Sequence, residues 1–426
     1  MHFLVEENHD LPLVRVQIGL RSGAADDPVE LDGLCNFATE LMARGAGGKD
    51  RAELDRAFDG LGTNLDVIAD LDGTWLEVTV LRAKLEPVLS LLADVLLRPD
   101  FPADEADKLR REILAQIDEL RDDDGQLARR YFGRALYGAH PYGRTIIGTT
   151  SSLQNLDVAA ARAWHARVVR SDNMLVGLAG DIGSDEAKAL VEKHLGAVPA
   201  GGAGGALYPA PPRRQGRRLT LVDKPDRTQS QILWGQPGPK WGEPDYFSLQ
   251  VATCAYGGTF TARLMNEVRS KRGLSYGASA RLGQGRGARA LAASIAPSLD
   301  QTAEALGLVL DLHRDWISGG ITEDELGFAK GYLQRSFAFT VATPEDRLDL
   351  RASLDMCGLP SEHGDRFVER IGAVTLDDTR QAQARHLANQ GLEICIVCTV
   401  NALRPKLEAA GLLADTEVVT TDFEAY

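Results

Sequence analysis

Histidine is a frequent ligand of catalytic metals, so the eight histidines of the chain are the first residues to consider for chemistry. They are His2, His9, His140, His165, His194, His313, His363 and His386. No two of them are closer than seven residues, whereas two metal ligands on one helix face have i, i+4 spacing. We interpret each one as a surface or hydrogen-bonded core residue, so histidine spacing alone predicts no metal site.

The five cysteines form an odd, scattered set, which does not predict a disulfide framework. They are Cys35, Cys254, Cys357, Cys395 and Cys398. The last two have C-x-x-C spacing, but they fall in the apolar run LEICIVCTV, which is typical of a buried strand. We therefore interpret them as core thiols rather than metal or redox groups. Free thiols favour a reducing compartment.

A glycine-rich segment at 283–287, GQGRG, could suggest a phosphate-binding loop. A dinucleotide-binding fingerprint needs its glycines directly after a strand and at the opening of a helix. Here the glycines lie between two segments with strand-like patterns, at 275–281 and 289–295. The pattern therefore predicts the loop of a β-hairpin.

The composition limits the classes of partner. The 426 residues carry a formal net charge of −14, which disfavours nucleic acid because phosphate binding needs a positively charged surface. A basic cluster at 213–218 is interpreted as a solvated segment. The longest apolar stretch, at 88–97, is interrupted by Asp94 and is too short for a membrane span. No signal peptide is apparent, so the compartment stays open between cytoplasm and periplasm.

A Pro- and Gly-rich stretch at 199–212 separates two halves that have a similar predicted organisation of strands and helices. Each half opens with an alternating strand pattern and closes with an apolar strand, at 174–180 and at 392–398. Helical periods between these strands are predicted at 34–44, 51–61, 84–97, 103–120, 259–271, 299–316, 323–338 and 344–356. We predict a duplicated α+β fold, with domains at 1–200 and 218–426 joined by a linker at 201–217. Each domain is expected to be a mixed sheet with helices packed on one side.

The segment GLCNFATELMARG at 33–45, with RSGAAD at 21–26, resembles the start of the pitrilysin/insulinase-type zinc peptidases, also called inverzincins. Further matches occur in HPYG at 140–143 and between Gly257 and Tyr276. The resemblance extends over most of the chain and implies that the two domains form one half of a clam-shell. Mitochondrial processing peptidase subunits and respiratory-complex core proteins share this plan.

In this family, the first of these segments carries the zinc motif H-x-x-E-H. Asn36 and Glu40 stand at the positions of the two histidine ligands, and Thr39 stands at that of the glutamate base. By the family's spacing, Gln116 stands at the third ligand position. Amides are poor zinc ligands, so Glu40 is the one strong donor of the three, and a threonine hydroxyl takes up no proton near neutral pH. The resemblance therefore implies a chain that binds no metal and has no catalytic residue of its own.

A second family feature is retained. In these peptidases the C-terminal half contributes an arginine and a tyrosine seven residues apart, which reach a substrate at the zinc. Arg269 and Tyr276 match this pair. An arginine can donate to a peptide carbonyl, and a phenol can stabilise a developing oxyanion. The alternative is structural, with Arg269 complementing a helix C-terminus and Tyr276 packing after a glycine cap.

Two functions are compatible with this pattern. In the first, the chain is a regulatory or substrate-binding subunit that binds peptide, and a separate catalytic subunit with an intact H-x-x-E-H motif carries the zinc. In the second, it is a structural scaffold like the respiratory-complex core proteins, with no peptidase partner. The retained pair favours the first function, because a scaffold has no use for Arg269 and Tyr276.

Overall fold

A computed structural model describes residues 1–202, 205, 208–388 and 391–425. Four positions of the predicted linker, 203, 204, 206 and 207, lie outside the described residues. The elements of the first half are β1 (His2–Glu7), β2 (Leu13–Leu20), α1 (Leu34–Met42), β3 (Gly45–Ala46), β4 (Lys49–Asp50), α2 (Arg51–Asp59), β5 (Asp66–Ala69), β6 (Thr74–Leu81), α3 (Leu85–Leu97), α4 (Ala103–Asp122), α5 (Asp124–Tyr137), α6 (Val158–Val168), β7 (Met174–Gly180) and α7 (Ser184–Leu195).

The second half follows the linker. Its elements are β8 (Arg217–Asp223), β9 (Gln231–Pro237), α8 (Tyr246–Thr253), α9 (Arg263–Met265), β10 (Ser275–Leu282), β11 (Ala290–Pro297), α10 (Thr302–Gly319), α11 (Glu323–Thr340), α12 (Pro344–Met356), α13 (Glu362–Asp365), α14 (Phe367–Ala373), α15 (Leu376–His386), β12 (Leu392–Cys398), α16 (Val400–Ala409) and β13 (Thr416–Asp422). Two π-helical turns, Cys254–Gly258 and Asn266–Ser270, flank α9.

The two sheets have matching topologies, which confirms the predicted duplication. The first sheet has the order β1-β7-β2-β6-β5, and only the β1–β7 pair is parallel. The second sheet has the order β13-β8-β12-β9-β11-β10. Its β8–β12 pair is parallel, and the pairs that follow toward β10 are antiparallel, as in the first sheet. The additional strand β13 pairs parallel with β8.

Each sheet buries one face under a layer of helices, as the mixed-sheet prediction requires. In the first half, alternating residues of β2 and β6 meet the apolar faces of α1 and α3 in one cluster. In the second half, Trp234 of β9 packs in the same way with Trp316 of α10. The apolar run of β12 is buried along nearly its whole length, so Cys395 and Cys398 are core thiols. This outcome agrees with their interpretation from sequence.

The chain divides into two compact units that exchange one helix each. Unit 1 comprises 1–117, 144–207 and 338–364, and unit 2 comprises the remaining segments, 118–143, 208–337 and 365–426. Helix α12, from the second half, therefore packs on β7 in unit 1, where Gly177 leaves room for Leu348. Helix α5, from the first half, packs on β12 and β9 in unit 2. The predicted division into domains at 1–200 and 218–426, joined by a linker at 201–217, stays a prediction.

The predicted helix at 259–271 needs correction. Thr259 and Ala262 have extended backbone angles, so the helical segment begins at Arg263, four residues later. It then widens into the π turn Asn266–Ser270. Within the described residues, no helix is both long enough and apolar enough to cross a membrane.

Candidate functional site

Helix α1 begins at a close crossing of two backbone segments. Gly33 precedes the helix with φ 92°, and a Cβ there would lie 2.7 Å from the backbone nitrogen of Gly148. The Cys35 N–H, in the first turn, donates to the Asp27 carboxyl, with both oxygens at 3.0 Å. Burial raises the pKa of Asp27 to about 8. These contacts fix the start of the helix that carries positions 36, 39 and 40.

The three α1 positions of the family's motif are satisfied internally. Thr39 is fully buried, and its hydroxyl donates to the Cys35 carbonyl at 2.7 Å. The Asn36 amide is buried and donates to the Glu40 carboxylate at 3.2 Å. The hydroxyl of Thr39 is therefore committed to its own helix and cannot activate a water molecule.

An ion cluster lies directly beside these positions. Arg44 is 6% exposed, and its guanidinium donates to Glu112 of α4, with Nη1 3.1 Å from Oε1. Its Nη2 lies 3.5 Å from a Glu40 oxygen, and its Nη1 lies 3.6 Å from Glu105. Arg51 approaches Glu105 at 3.3 Å. The hydrogen bond from Arg44 lowers the pKa of the Glu112 carboxyl. The carboxylates in this region are thus neutralised by arginines.

The donor set does not fit a catalytic zinc ion. Gln116 lies on α4 one turn beyond Glu112, with its side chain exposed. Together with Asn36 it supplies amides, and the Glu40 carboxylate is engaged by Arg44. In the part of the chain that the structure describes, no three His, Cys, Asp or Glu side chains form a group able to hold a metal ion. Arg44 contacts Glu112 of α4 and Glu40 of α1, so ion pairs join the two helices that carry these positions.

An open pocket adjoins this cluster in unit 1. Its volume is about 480 Å³, and its walls come from α1, α2 and the segment leading into β5. Arg44 and Arg51 line it together with Asp55, Asp59 and Glu40. The pocket is large enough to admit a side chain, and both signs of charge face into it.

The second region of interest lies in unit 2, around β10. Arg269 belongs to the π turn Asn266–Ser270, a rare geometry that is frequent at functional sites. Tyr276 lies on the edge strand β10, within a register shift between Ser275 and Ala278. A β-bulge of this kind re-aims a side chain. Both residues are therefore presented by irregular segments of otherwise regular elements.

The structure brings Arg269 and Tyr276 into contact. The Arg269 guanidinium carbon lies 4.4 Å from the Tyr276 ring centroid and 4.7 Å from the Phe260 ring centroid, which are cation–π distances. The Tyr276 side chain is 84% exposed and Phe260 is 64% exposed. The sequence predicted the pair but gave Phe260 no role. The available signal was an aromatic residue two positions after the double glycine Gly257-Gly258.

Comparisons with known proteins place these features in a family. The family model for Insulinase (Peptidase family M16) matches residues 2–150, and the model for the Peptidase M16 inactive domain matches residues 155–333. An uncharacterized zinc protease of Mycobacterium leprae is 30% identical over 335 residues, which cover 76% of this chain and 74% of that protein. The chain belongs to the M16 peptidase family.

Other relatives of this M16 protein include chains described as inactive. The non-peptidase homolog YmxG of Helicobacter pylori is 22% identical over 395 residues, covering 92% of this chain and 91% of its own. The crystal structure of the peptidase M16 inactive domain from Pseudomonas fluorescens has a TM-score of 0.86 and 26% identity, covering 93% of this chain and 95% of that one. With four motif positions replaced, this M16 protein is a pseudo-peptidase.

Proposed function

We propose that this M16 protein is the non-catalytic, substrate-binding subunit of a heteromeric zinc metallopeptidase. The partner subunit carries the intact H-x-x-E-H motif and the zinc, and the complex cleaves peptides or unfolded proteins. This chain contributes Arg269 and Tyr276 to the partner's active site. One observation carries the proposal: the Arg269–Tyr276 pair is assembled and exposed in a chain whose own zinc-ligand positions offer one carboxylate and two amides.

The exposure of Tyr276 favours a binding role over a packing role. A tyrosine kept for packing buries its ring in the core, as Tyr256 does in the same unit. Tyr276 instead extends from the edge strand β10 with most of its surface accessible. An exposed aromatic side chain held by a β-bulge is typical of a ligand-contacting position.

Arg269 also has unused hydrogen-bonding capacity. Within the described residues, its guanidinium forms no hydrogen bond or ion pair and is held only by the two aromatic faces. By contrast, nearby Arg263 forms a two-pronged ion pair with Glu325. A guanidinium held by aromatic rings keeps its N–H donors available for a peptide carbonyl to accept.

The chemistry of the pair suits peptide hydrolysis in a partner's site. Arg269 would bind the substrate backbone, and the Tyr276 phenol would donate to the oxyanion that develops on the attacked carbonyl. In this scheme, the chain supplies positioning and charge stabilisation, while the partner supplies water activation.

Reconstitution tests the proposal. The purified chain would be mixed with an M16 protein from the same organism that retains H-x-x-E-H, and cleavage of fluorescein-labelled β-casein, an unfolded protein, would be followed. We expect a complex on size-exclusion chromatography, no activity of this chain alone and increased activity of the partner. If the partner reaches full activity unaided and no complex forms, the subunit hypothesis fails and the scaffold alternative takes precedence.

A further inference from the structure

Phe260 is the one member of the cluster around Arg269 that neither the sequence nor the proposed chemistry assigns a role. Its ring is 64% exposed, which leaves apolar surface in water without a packing gain of matching size. Its partner in the structure is instead a charged group, the Arg269 guanidinium, 4.7 Å from the ring centroid. A residue in this setting is better explained by what it does to Arg269 than by core packing.

The segment that carries Phe260 is anchored independently of Arg269. The Ala262 N–H donates to the Thr259 carbonyl at 3.1 Å, which closes a turn around Phe260. The Asn266 amide donates to the Thr261 carbonyl at 2.9 Å. Directly after this turn, Arg263 is fixed to Glu325 by two hydrogen bonds. The ring is therefore attached to a braced turn that can act as a fixed wall for a flexible side chain.

Both rings lie within cation–π distance of one guanidinium. Tyr276 approaches Arg269 at 4.4 Å and Phe260 approaches it at 4.7 Å. Arginine has a long side chain with many rotamers, and ordering it on binding costs free energy. Stacking before the substrate arrives removes part of that cost, because the guanidinium already has the orientation in which it binds.

We propose that Phe260 is a positioning residue, whose ring orders the Arg269 guanidinium for a substrate carbonyl. This inference rests on the proposed function of the pair. An exposed cation–π contact changes an equilibrium by about two- to fivefold. Removing the ring should therefore raise KM of the complex by about that factor and leave kcat unchanged, since Phe260 does not act on the reacting carbonyl.

The geometry can be tested on this chain alone with phenylglyoxal, which modifies accessible arginines. The rate at Arg269 would be followed by peptide mass mapping in the parent protein, Phe260→Ala, Phe260→Trp and the control Phe328→Ala. Phe328 is also an exposed phenylalanine, on α11 in the same unit. We expect Phe260→Ala to increase the Arg269 rate about two- to fivefold, with Phe260→Trp and Phe328→Ala near the parent value.

The functional test uses the same variants in the complex with the intact-motif partner, with fluorescein-labelled β-casein as substrate. Phe260→Ala should raise KM and Phe260→Trp should restore it. An unchanged phenylglyoxal rate in Phe260→Ala overturns the inference. An unchanged KM in Phe260→Ala also overturns it if Arg269→Ala does raise KM. If Arg269→Ala itself leaves KM unchanged, the proposed function fails, and the positioning role fails with it.

Discussion

The guanidinium of Arg44, just beyond the end of α1, donates to the carboxylate of Glu112 on α4, across 68 positions of sequence. Glu40 and Gln116, at the family's zinc-ligand positions, lie on α1 and α4 respectively. The same arginine approaches Glu40 and Glu105. The two helices that carry these positions are thus joined by an ion cluster.

The ion cluster should contribute measurably to stability. Arg44→Leu would remove a buried cation and leave Glu105 with reduced compensation, so we expect a loss of about 2 kcal/mol in the free energy of unfolding. Urea denaturation followed by circular dichroism would measure it. Arg404→Leu is the matched control, because Arg404 and Glu408 form an exposed i, i+4 pair worth only a few tenths of a kcal/mol. Equal stability of the two variants would show that the cluster is not stabilising.

The zinc positions should not bind zinc. Positions 36, 40 and 116 offer one carboxylate and two amides, and the carboxylate is engaged by Arg44. Metal analysis after dialysis against dilute zinc should therefore give far less than one equivalent per chain. Glu40→Ala and Gln116→Ala are the comparison variants. Stoichiometric zinc that disappears in either variant would refute the assignment as a pseudo-peptidase.

Tyr276 and Arg269 should affect different kinetic constants of the complex. Tyr276→Phe keeps the ring but removes the oxyanion donor, so kcat should fall about a hundredfold, or ~3 kcal/mol, with little change in KM. Arg269→Ala should mainly raise KM, because the guanidinium is expected to bind the substrate backbone.

Tyr332→Phe, which removes an exposed hydroxyl from α11 in the same unit, is the control and should change neither constant. Folding should be unaffected in all three variants, because none of these side chains belongs to a buried core. A normal kcat for Tyr276→Phe in a verified complex would make the pair structural.

Asp27 should give the stability a defined pH dependence. Burial raises its pKa in the folded state to about 8, above the value near 4 expected in the unfolded chain. The folded state therefore holds the extra proton between these values. Stability from this group is fully present below about pH 4 and is lost as the pH rises toward about 8.

Asp27→Asn keeps an oxygen acceptor for the Cys35 N–H but cannot ionise. Its free energy of unfolding should vary less between pH 5 and 8 than that of the parent, by at most about 1.4 kcal/mol per pH unit. Chemical denaturation at several pH values would give both profiles. Parallel profiles for the two proteins would show that Asp27 does not titrate with a raised pKa.

Much of the fold was accessible from sequence, because local periodicity specifies its elements. The alternating residues of β2 and β6 and the apolar runs of β7 and β12 predicted strands, and the structure confirms them. Helix α5 was not predicted. Its glycines and charged residues weaken the apolar period, and its stability comes from packing on β12 and β9.

The sequence by itself determined which residue types stand at the family's motif positions, since residue types at fixed spacing decide which ligands and bases the chain can offer there. Asn36, Thr39 and Gln116 needed no structure for that conclusion. Only the tertiary structure decided that Arg44 meets Glu112, that α5 and α12 pack on the other half's sheet, and that Phe260 stacks on Arg269. Such contacts join segments that are far apart in sequence. Local periodicity specifies helices and strands, but it does not specify which distant segments pack together.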